Sequence, residues 1–457
     1  MAKEPITYRI ARVVVTATLR FYFRRIEVSA FKEIPKGPVI FAANHPQSIT
    51  DTLVLGYAVG RMLHYIAHSG LFKNGLKAWF LRSCGVIPVY RPTDQEAGSR
   101  DNLEMFSACR AVLEEGGAIG IFPEGTSQVT PKVQPFKTGT ARIALESESK
   151  HGFNLGVTIV PVGLSFESRR RFRSRVLVTF GQPVHMKVYK DAYARDSYET
   201  VHQLTHELEQ RTRDLVLDIR EASLADFVTR LERFYHDDLI QDPRIQLTSE
   251  SDFENRQILI REIAKAVEHY RQKEPMLVEH LRVLLSAYTR RLSVFRLSDQ
   301  QLRDYQAQSV PGTLGKLTAF AALGLPVAAY GLLFNIIPYK ATGWVAKRLS
   351  PDGTKFHFFQ LAVGAVFYLL YYPLLAYLVA QKVGVVWAGV WLLSLIPTGL
   401  FARWYAHQVT QQRGRLRVAF INATQKARLQ SLRNARSELL AELETALERY
   451  LRYRQGT

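Results

Sequence analysis

Ala118-Ile119-Gly120-Ile121-Phe122-Pro123-Glu124-Gly125-Thr126-Ser127 is an apolar run that stops at a proline, a carboxylate and a glycine. The run is too short for a helix and suits a strand buried on both faces. A second run of the same kind, Val39–Ala43, ends at Asn44-His45-Pro46. Around these two, Leu63–Ala67, Val86–Tyr90, Val157–Phe166 and Arg175–Phe180 read as further strands. Asp51–Gly60, Gly75–Cys84, Asn102–Glu115 and Thr138–Glu148 read as helices between them. Strands alternating with helices from Pro38 to about Pro183 predict an α/β fold, a mixed and mostly parallel sheet flanked by helices. The polar residues that stand out fall at strand ends, where open α/β sheets bind ligands.

The rest of the chain has a different character. Three runs, Leu317–Ile337, Phe358–Ala380 and Val383–Ala402, contain no Asp, Glu, Lys or Arg. At about 1.5 Å per residue each reaches across the ~30 Å of a bilayer's hydrocarbon. The formal charge is +19, from 60 Lys+Arg against 41 Asp+Glu, and an anionic membrane surface is its natural partner. Nucleic acid explains charge alone, but no base-reading module accompanies it. A hydrophobic share of 47% excludes a disordered chain. Two cysteines, Cys84 and Cys109, exclude a disulfide-built secreted fold and leave no ligand set for a zinc ribbon or iron–sulfur site.

Basic residues flank Leu317 and Ala402 and fill the 338–357 segment, which places all three on the cytoplasmic side by the positive-inside tendency. Two arrangements stay open. Phe358–Ala380 and Val383–Ala402 form a spanning hairpin while Leu317–Ile337, with Gly324 and Pro326 mid-run, dips in and returns; or all three runs span. Residues 1–28 lack the apolar core of a signal peptide, having Arg9, Arg12, Arg20, Arg24 and Arg25. Ile6, Ile10, Val13, Val14 and Ala17 recur at helical spacing, which predicts a helix lying in the membrane interface or, alternatively, packed on the soluble domain. Ser197–Asp304 reads as helices with breaks at Asp242-Pro243 and Glu274-Pro275. Val409–Tyr453 reads as one long basic helix with a stripe of Leu432, Leu439, Leu443 and Leu447. The expected division is an interfacial helix (1–28), an α/β domain (29–215), a helical region (216–316), a membrane segment of two or three helices (317–402) and a basic C-terminal helix (403–457).

Four segments carry chemistry. Asn44-His45-Pro46-Gln47-Ser48-Ile49-Thr50-Asp51 sets an imidazole and a carboxylate at a strand-to-helix turn. Gly85-Val86-Ile87-Pro88-Val89-Tyr90-Arg91 ends a strand with a guanidinium. Phe122-Pro123-Glu124-Gly125-Thr126-Ser127 follows a third strand, with Pro135-Phe136-Lys137-Thr138-Gly139 downstream, and Val160-Pro161-Val162 lies in a fourth. In this order they resemble the glycerolipid acyltransferase family, the glycerol-3-phosphate and 1-acylglycerol-3-phosphate acyltransferases, over roughly residues 30–215. The resemblance implies His45 as general base, Asp51 as its orienting partner, Arg91 as a phosphate ligand, and Glu124, Gly125, Thr126 and Ser127 as acceptor-binding. Lys137 is a second ligand for phosphate or for the donor's anionic head group. It also implies a thioester co-substrate, acyl-CoA or acyl-acyl-carrier-protein, with no bound cofactor or metal. The sequence departs from the family pattern in one place that matters. Five residues rather than four separate His45 from Asp51, which puts Thr50 at the usual acid position. A bulged turn before the helix would absorb the extra residue and keep Asp51 facing His45. His68 also stands where relatives are expected to carry a basic residue.

These residue types suit acyl transfer. An imidazole with a pKa near about 6.5 can take a hydroxyl proton at neutral pH, and a carboxylate on its other nitrogen fixes the tautomer. Arginine's planar fork matches a phosphate. The expected protein is a membrane-bound O-acyltransferase of phospholipid biosynthesis, with its catalytic domain on the cytoplasmic face. The rival is a non-catalytic lipid-binding or adaptor protein that keeps the α/β shell. His64 and His68 have a ligand-like spacing without the glutamate of a zinc helix, and Ser127 sits in no Gly-x-Ser-x-Gly elbow.

Overall fold

The structure, a computed structural model, describes residues 4–29, 34–89, 99–127, 132–168, 171–219, 221–245, 247, 249, 251–303, 310–351 and 355–455. The chain forms two compact units, one of residues 1–225, 247–261 and 347–361, the other of residues 226–246, 262–346 and 362–457.

The first unit is built on a sheet of β1 (Arg25–Ser29), β2 (Val39–Ala43), β3 (Leu63–His68), β4 (Ile87–Val89), β5 (Ala118–Ile121), β6 (Thr158–Phe166), β7 (Arg175–Phe180) and β8 (Val184–His185). Its order is β1-β7-β6-β2-β5-β3-β4, with β8 paired to β6. Strands β6, β2, β5, β3 and β4 run parallel, while β7 and β8 run antiparallel to β6 and β1 runs parallel to β7. The sheet is therefore mixed and mostly parallel.

Helices α1 (Ile6–Tyr22), α2 (Ile49–Val59), α3 (Gly75–Ser83), α4 (Ser99–Glu114), α5 (Gly139–Lys150), α6 (Lys190–Arg195) and α7 (Ser197–Arg213) accompany it. Every residue of β2 is buried, and its alternation sorts the two cores. Ile40 and Ala42 join Leu113 of α4, Leu145 of α5 and Leu204 of α7. Val39, Phe41 and Ala43 join Leu19 of α1 and Leu55 of α2. Truncating a fully buried ring such as Phe41 to alanine costs about 3–5 kcal/mol.

The expected 1–28 helix is shorter than its sequence suggests. It ends at Tyr22, and Arg25–Ser29 is an edge strand of the sheet. Leu19, Tyr22 and Phe23 are buried in the core, whereas Ile6, Ile10, Val13 and Val14 are exposed. The helix thus packs by one face, with Tyr8 donating to the Arg61 carbonyl at 3.3 Å and Val15 against the core, and leaves its apolar stripe outward.

The second unit is helical. Its helices are α8 (Ala222–Gln241), α9 (Asp252–Lys273), α10 (Pro275–Val294), α11 (Asp299–Arg303), α12 (Val310–Leu349), α13 (Phe356–Val383), α14 (Val385–Thr424) and α15 (Lys426–Gln455), of which α8, α9, α12 and α13 enter both units. Leu432, Leu439 and Leu443 of α15 are buried, α15 packs on α10, and Arg436 bridges Asp238 and Asp299 at 3.1 Å each. The single C-terminal helix expected from the pattern is in fact two, parted at Gln425, and the last apolar helix runs on to Thr424.

Among the described residues, three helices are long and apolar enough to cross a membrane: Phe320–Leu349, Phe356–Val383 and Val385–Thr424. The break at Pro326 that the re-entrant arrangement requires does not occur, since α12 continues through Pro326 and Pro338. Within the second unit Asn335 of α12 joins all three. Its Nδ2 donates to the Leu395 carbonyl of α14 at 3.1 Å, and its Oδ1 accepts from the Tyr372 hydroxyl of α13. A Cβ on Gly331 would lie 2.1 Å from the Thr398 carbonyl oxygen, so α12 and α14 touch backbone to backbone, as small residues allow in apolar helix pairs.

Candidate active site

Strands β2 and β5 are parallel neighbours with Ala42 opposite Ile121, so the turns that leave their carboxyl ends lie side by side. One turn carries His45 and the other Glu124. His45 Nδ1 lies 3.0 Å from Asp51 Oδ2. Asp51 is fully buried in the first turn of α2, where the helix dipole favours the carboxylate. A carboxylate can only accept, so Nδ1 carries the proton and Nε2 is left with its lone pair. The ring stacks on Phe122, with centroids 4.1 Å apart, and its side chain is 18% exposed. It is held firmly, yet it can be reached from outside.

The extra residue before Asp51 is absorbed at Ser48, which takes φ +53 and ψ −125 just before α2. The Gln47 N–H donates to Asp51 Oδ2 at 2.7 Å, and the Ser48 N–H donates to Ser127 Oγ at 3.0 Å. Thr50, at the spacing where the family pattern sets the acid, is buried, and its hydroxyl has no hydrogen-bond partner among the described residues.

Glu124 grips both sides of the site. Oε1 accepts from the His45 N–H at 2.8 Å, and Oε2 accepts from the Gln134 N–H at 3.1 Å. Burial pushes its carboxyl up to about 7, against the pull of these two donors and of His45. Gly125 follows with φ +66, and a Cβ there would meet the Lys137 ammonium at 2.8 Å. Lys137 is itself anchored by its N–H to the Pro123 carbonyl at 3.0 Å. The Lys137 side chain therefore lies over the glycine, exposed, two residues before α5. Thr126, the residue after Gly125, is exposed.

The structure brings together His45, Asp51, Glu124, Gly125, Ser127 and Lys137; Arg91 lies outside the described residues. Phe122, Ser48 and Gln134 are site-building residues that the motif reading passed over. Only Phe122 carried a signal, as an aromatic at the mouth of the strand. His68 Nδ1 accepts from the Gly70 N–H at 3.1 Å, which caps a short turn, and burial lowers the pKa of His64. Burial also raises the Cys109 thiol to about 12, so it stays protonated at neutral pH. No group of three His, Cys, Asp or Glu could hold a metal ion among the described residues.

A histidine–aspartate pair at one strand end is cross-linked to a Pro-Glu-Gly turn at the next, and residues 25–165, which contain both, match the family model described as Acyltransferase. Among curated proteins, the chain is similar to glycerol-3-phosphate O-acyltransferase 2 of Saccharomyces cerevisiae, at 27% identity over 50% of this chain and 30% of that one. It is also similar to the chloroplastic 1-acyl-sn-glycerol-3-phosphate acyltransferase LPAT1 of Arabidopsis thaliana, at 26% identity over 32% of this chain and 38% of that one. The match thus spans about a third of the length of these relatives. The crystal structure of the 1-acyl-sn-glycerophosphate acyltransferase PlsC from Thermotoga maritima overlaps 47% of this chain and 82% of that one, at 22% identity and a TM-score of 0.33.

Proposed function

We propose that the chain transfers a fatty acyl group from a thioester to a hydroxyl of glycerol 3-phosphate or 1-acylglycerol 3-phosphate. The observation that carries the reading is the His45–Asp51 pair, with a buried carboxylate on Nδ1 and the imidazole accessible at the mouth of the sheet. His45 Nε2 takes the hydroxyl proton as the oxygen attacks the thioester carbonyl. The tetrahedral intermediate then collapses, expels the thiolate and returns the proton from the imidazolium to sulfur. Asp51 holds the tautomer and stabilises the cation, and positioned proton transfer of this kind contributes about 10²–10⁴-fold. No acyl-enzyme is needed, because the thioester is already activated.

Glu124 acts through the backbone. By holding the His45 peptide it sets where the imidazole sits. Lys137, over Gly125 and beside the start of α5, supplies positive charge for a phosphate or for the anionic head of coenzyme A or acyl carrier protein. Arg91 is assigned the acceptor phosphate on its motif alone. The three apolar helices keep the protein in the membrane where its lipid acceptor and product reside, and the basic flanks support a catalytic domain on the cytoplasmic side.

The test is incubation of the purified full-length protein with a labelled acyl-thioester and a panel of acceptors. Ester on glycerol 3-phosphate or 1-acylglycerol 3-phosphate, and none on their dephosphorylated forms, is expected. A folded protein that esterifies nothing in the panel overturns the reading in favour of a lipid-binding adaptor.

A further inference from the structure

The spacing between His45 and Asp51 is paid for at one residue. Ser48 sits at φ +53, ψ −125, a region that residues with a Cβ rarely enter. Such a backbone persists only where its surroundings over-determine it. Two contacts from the neighbouring turn do so: the His45 N–H rests on Glu124 Oε1, and the N–H of Ser48 itself rests on Ser127 Oγ. Between them lies the Gln47 N–H, which shares Asp51 Oδ2 with the imidazole. If Ser48 relaxed to negative φ, the peptide on its amino side would rotate. The Gln47–Asp51 contact and the start of α2 would move with it, and the carboxylate would leave Nδ1.

We propose that Ser127 is a positioning residue, whose hydroxyl holds Ser48 in its strained turn and thereby keeps Asp51 on His45, and that it does not bind the acceptor. This deepens the acyl-transfer reading and relies on it for the kinetic measurements alone. The proposal separates Ser127 from its neighbour Thr126, whose exposed side chain remains available to substrate.

Four variants of the full-length protein test it. Ser127→Ala lowers kcat about ten- to a hundredfold, the cost of a misplaced catalytic pair, and leaves KM for acceptor and donor within about twofold. Ser127→Thr, which keeps the oxygen, stays within about threefold of wild type. Adding Ser48→Gly to Ser127→Ala recovers most of kcat, because glycine adopts positive φ without a Cβ penalty and no longer needs the clamp. A raised KM for the phosphorylated acceptor that Ser48→Gly does not rescue would make Ser127 a substrate ligand and overturn the proposal. So would an unchanged kcat in Ser127→Ala.

Thermal unfolding of the same variants reads the clamp independently of activity. Ser48→Gly is expected to raise Tm more in wild type, where the strain is held, than in Ser127→Ala, where it has been released. Additive shifts in Tm overturn the clamp. A wild-type protein that transfers no acyl group overturns the function instead, and leaves the thermal cycle to decide the clamp alone.

Discussion

Glu124→Gln removes a titration that the fold places near neutral pH. In the unfolded chain the carboxyl has its ordinary pKa of 4.5, and burial in the folded chain raises it to about 7. The folded state therefore holds this proton more tightly than the unfolded one. The resulting stability is fully present below 4.5 and is lost as pH rises through about 7. At about 1.4 kcal/mol per pH unit the gap amounts to about 3 kcal/mol as an upper figure. That corresponds to a fall in Tm of about 5–10 °C for a unit of this size. Glutamine keeps the neutral form at every pH. Its oxygen serves one of the two N–H groups, from His45 or Gln134, and its amide is set against the other, at a cost of about 1–3 kcal/mol. The assay is thermal unfolding of wild type and Glu124→Gln from pH 4.5 to 8.5. The variant is expected to be the less stable at the acid end, and the gap to close or reverse above pH 7. Parallel curves, or a wild type that gains on the variant as pH rises, would refute the reasoning. Either result would mean that the two N–H donors outweigh burial and hold Glu124 ionised.

Three further outcomes follow from other parts of the structure. Asp51→Asn keeps an acceptor oxygen for the imidazole and for Gln47 but removes the charge that supports the imidazolium, so kcat falls about a hundredfold or more with KM little changed; kcat within threefold of wild type contradicts Asp51's role. Gly125→Ala forces a Cβ into φ +66 and pushes Lys137 aside, which costs about 1–2 kcal/mol in thermal unfolding and raises KM for one phosphorylated substrate. Unaltered KM for both substrates would remove Lys137 from the anion site. Asn335→Leu severs the polar junction of α12, α13 and α14 and lowers stability in detergent by about 1–2 kcal/mol, with kcat retained; an unchanged melting curve would show that the helices pack without it.

Much of the fold was legible because its signals are local. Val39–Ala43 and Ala118–Ile121 are short, unbroken apolar runs, which suit strands covered on both faces. That His45 and Glu124 lie together was legible because each follows such a strand, and neighbouring parallel strands bring their ends together. What was not legible depends on backbone conformation. The five-residue spacing left open how Asp51 would reach His45, and the answer is a positive φ at Ser48, which no residue type there announces. Ser127 was assigned to substrate from its motif, and its contact with the Ser48 N–H is visible only once two turns distant in sequence are folded side by side. At Pro326 a rule from soluble helices kept a re-entrant arrangement open beside three spans. Proline removes one N–H from the ladder, and in a long apolar segment that loss leaves the helix intact. Arg25–Ser29 was absorbed into the preceding helix because its arginines disguise a short edge strand.

The acyl-transfer rate of purified His45→Ala, measured beside its melting temperature, bears on the whole account at a single nitrogen. The expected result is a fall in kcat of about a hundredfold or more, with the melting temperature close to that of wild type, since the ring is partly exposed and Asp51 keeps its bond from Gln47. Turnover within a few-fold of wild type in a folded His45→Ala protein would contradict it.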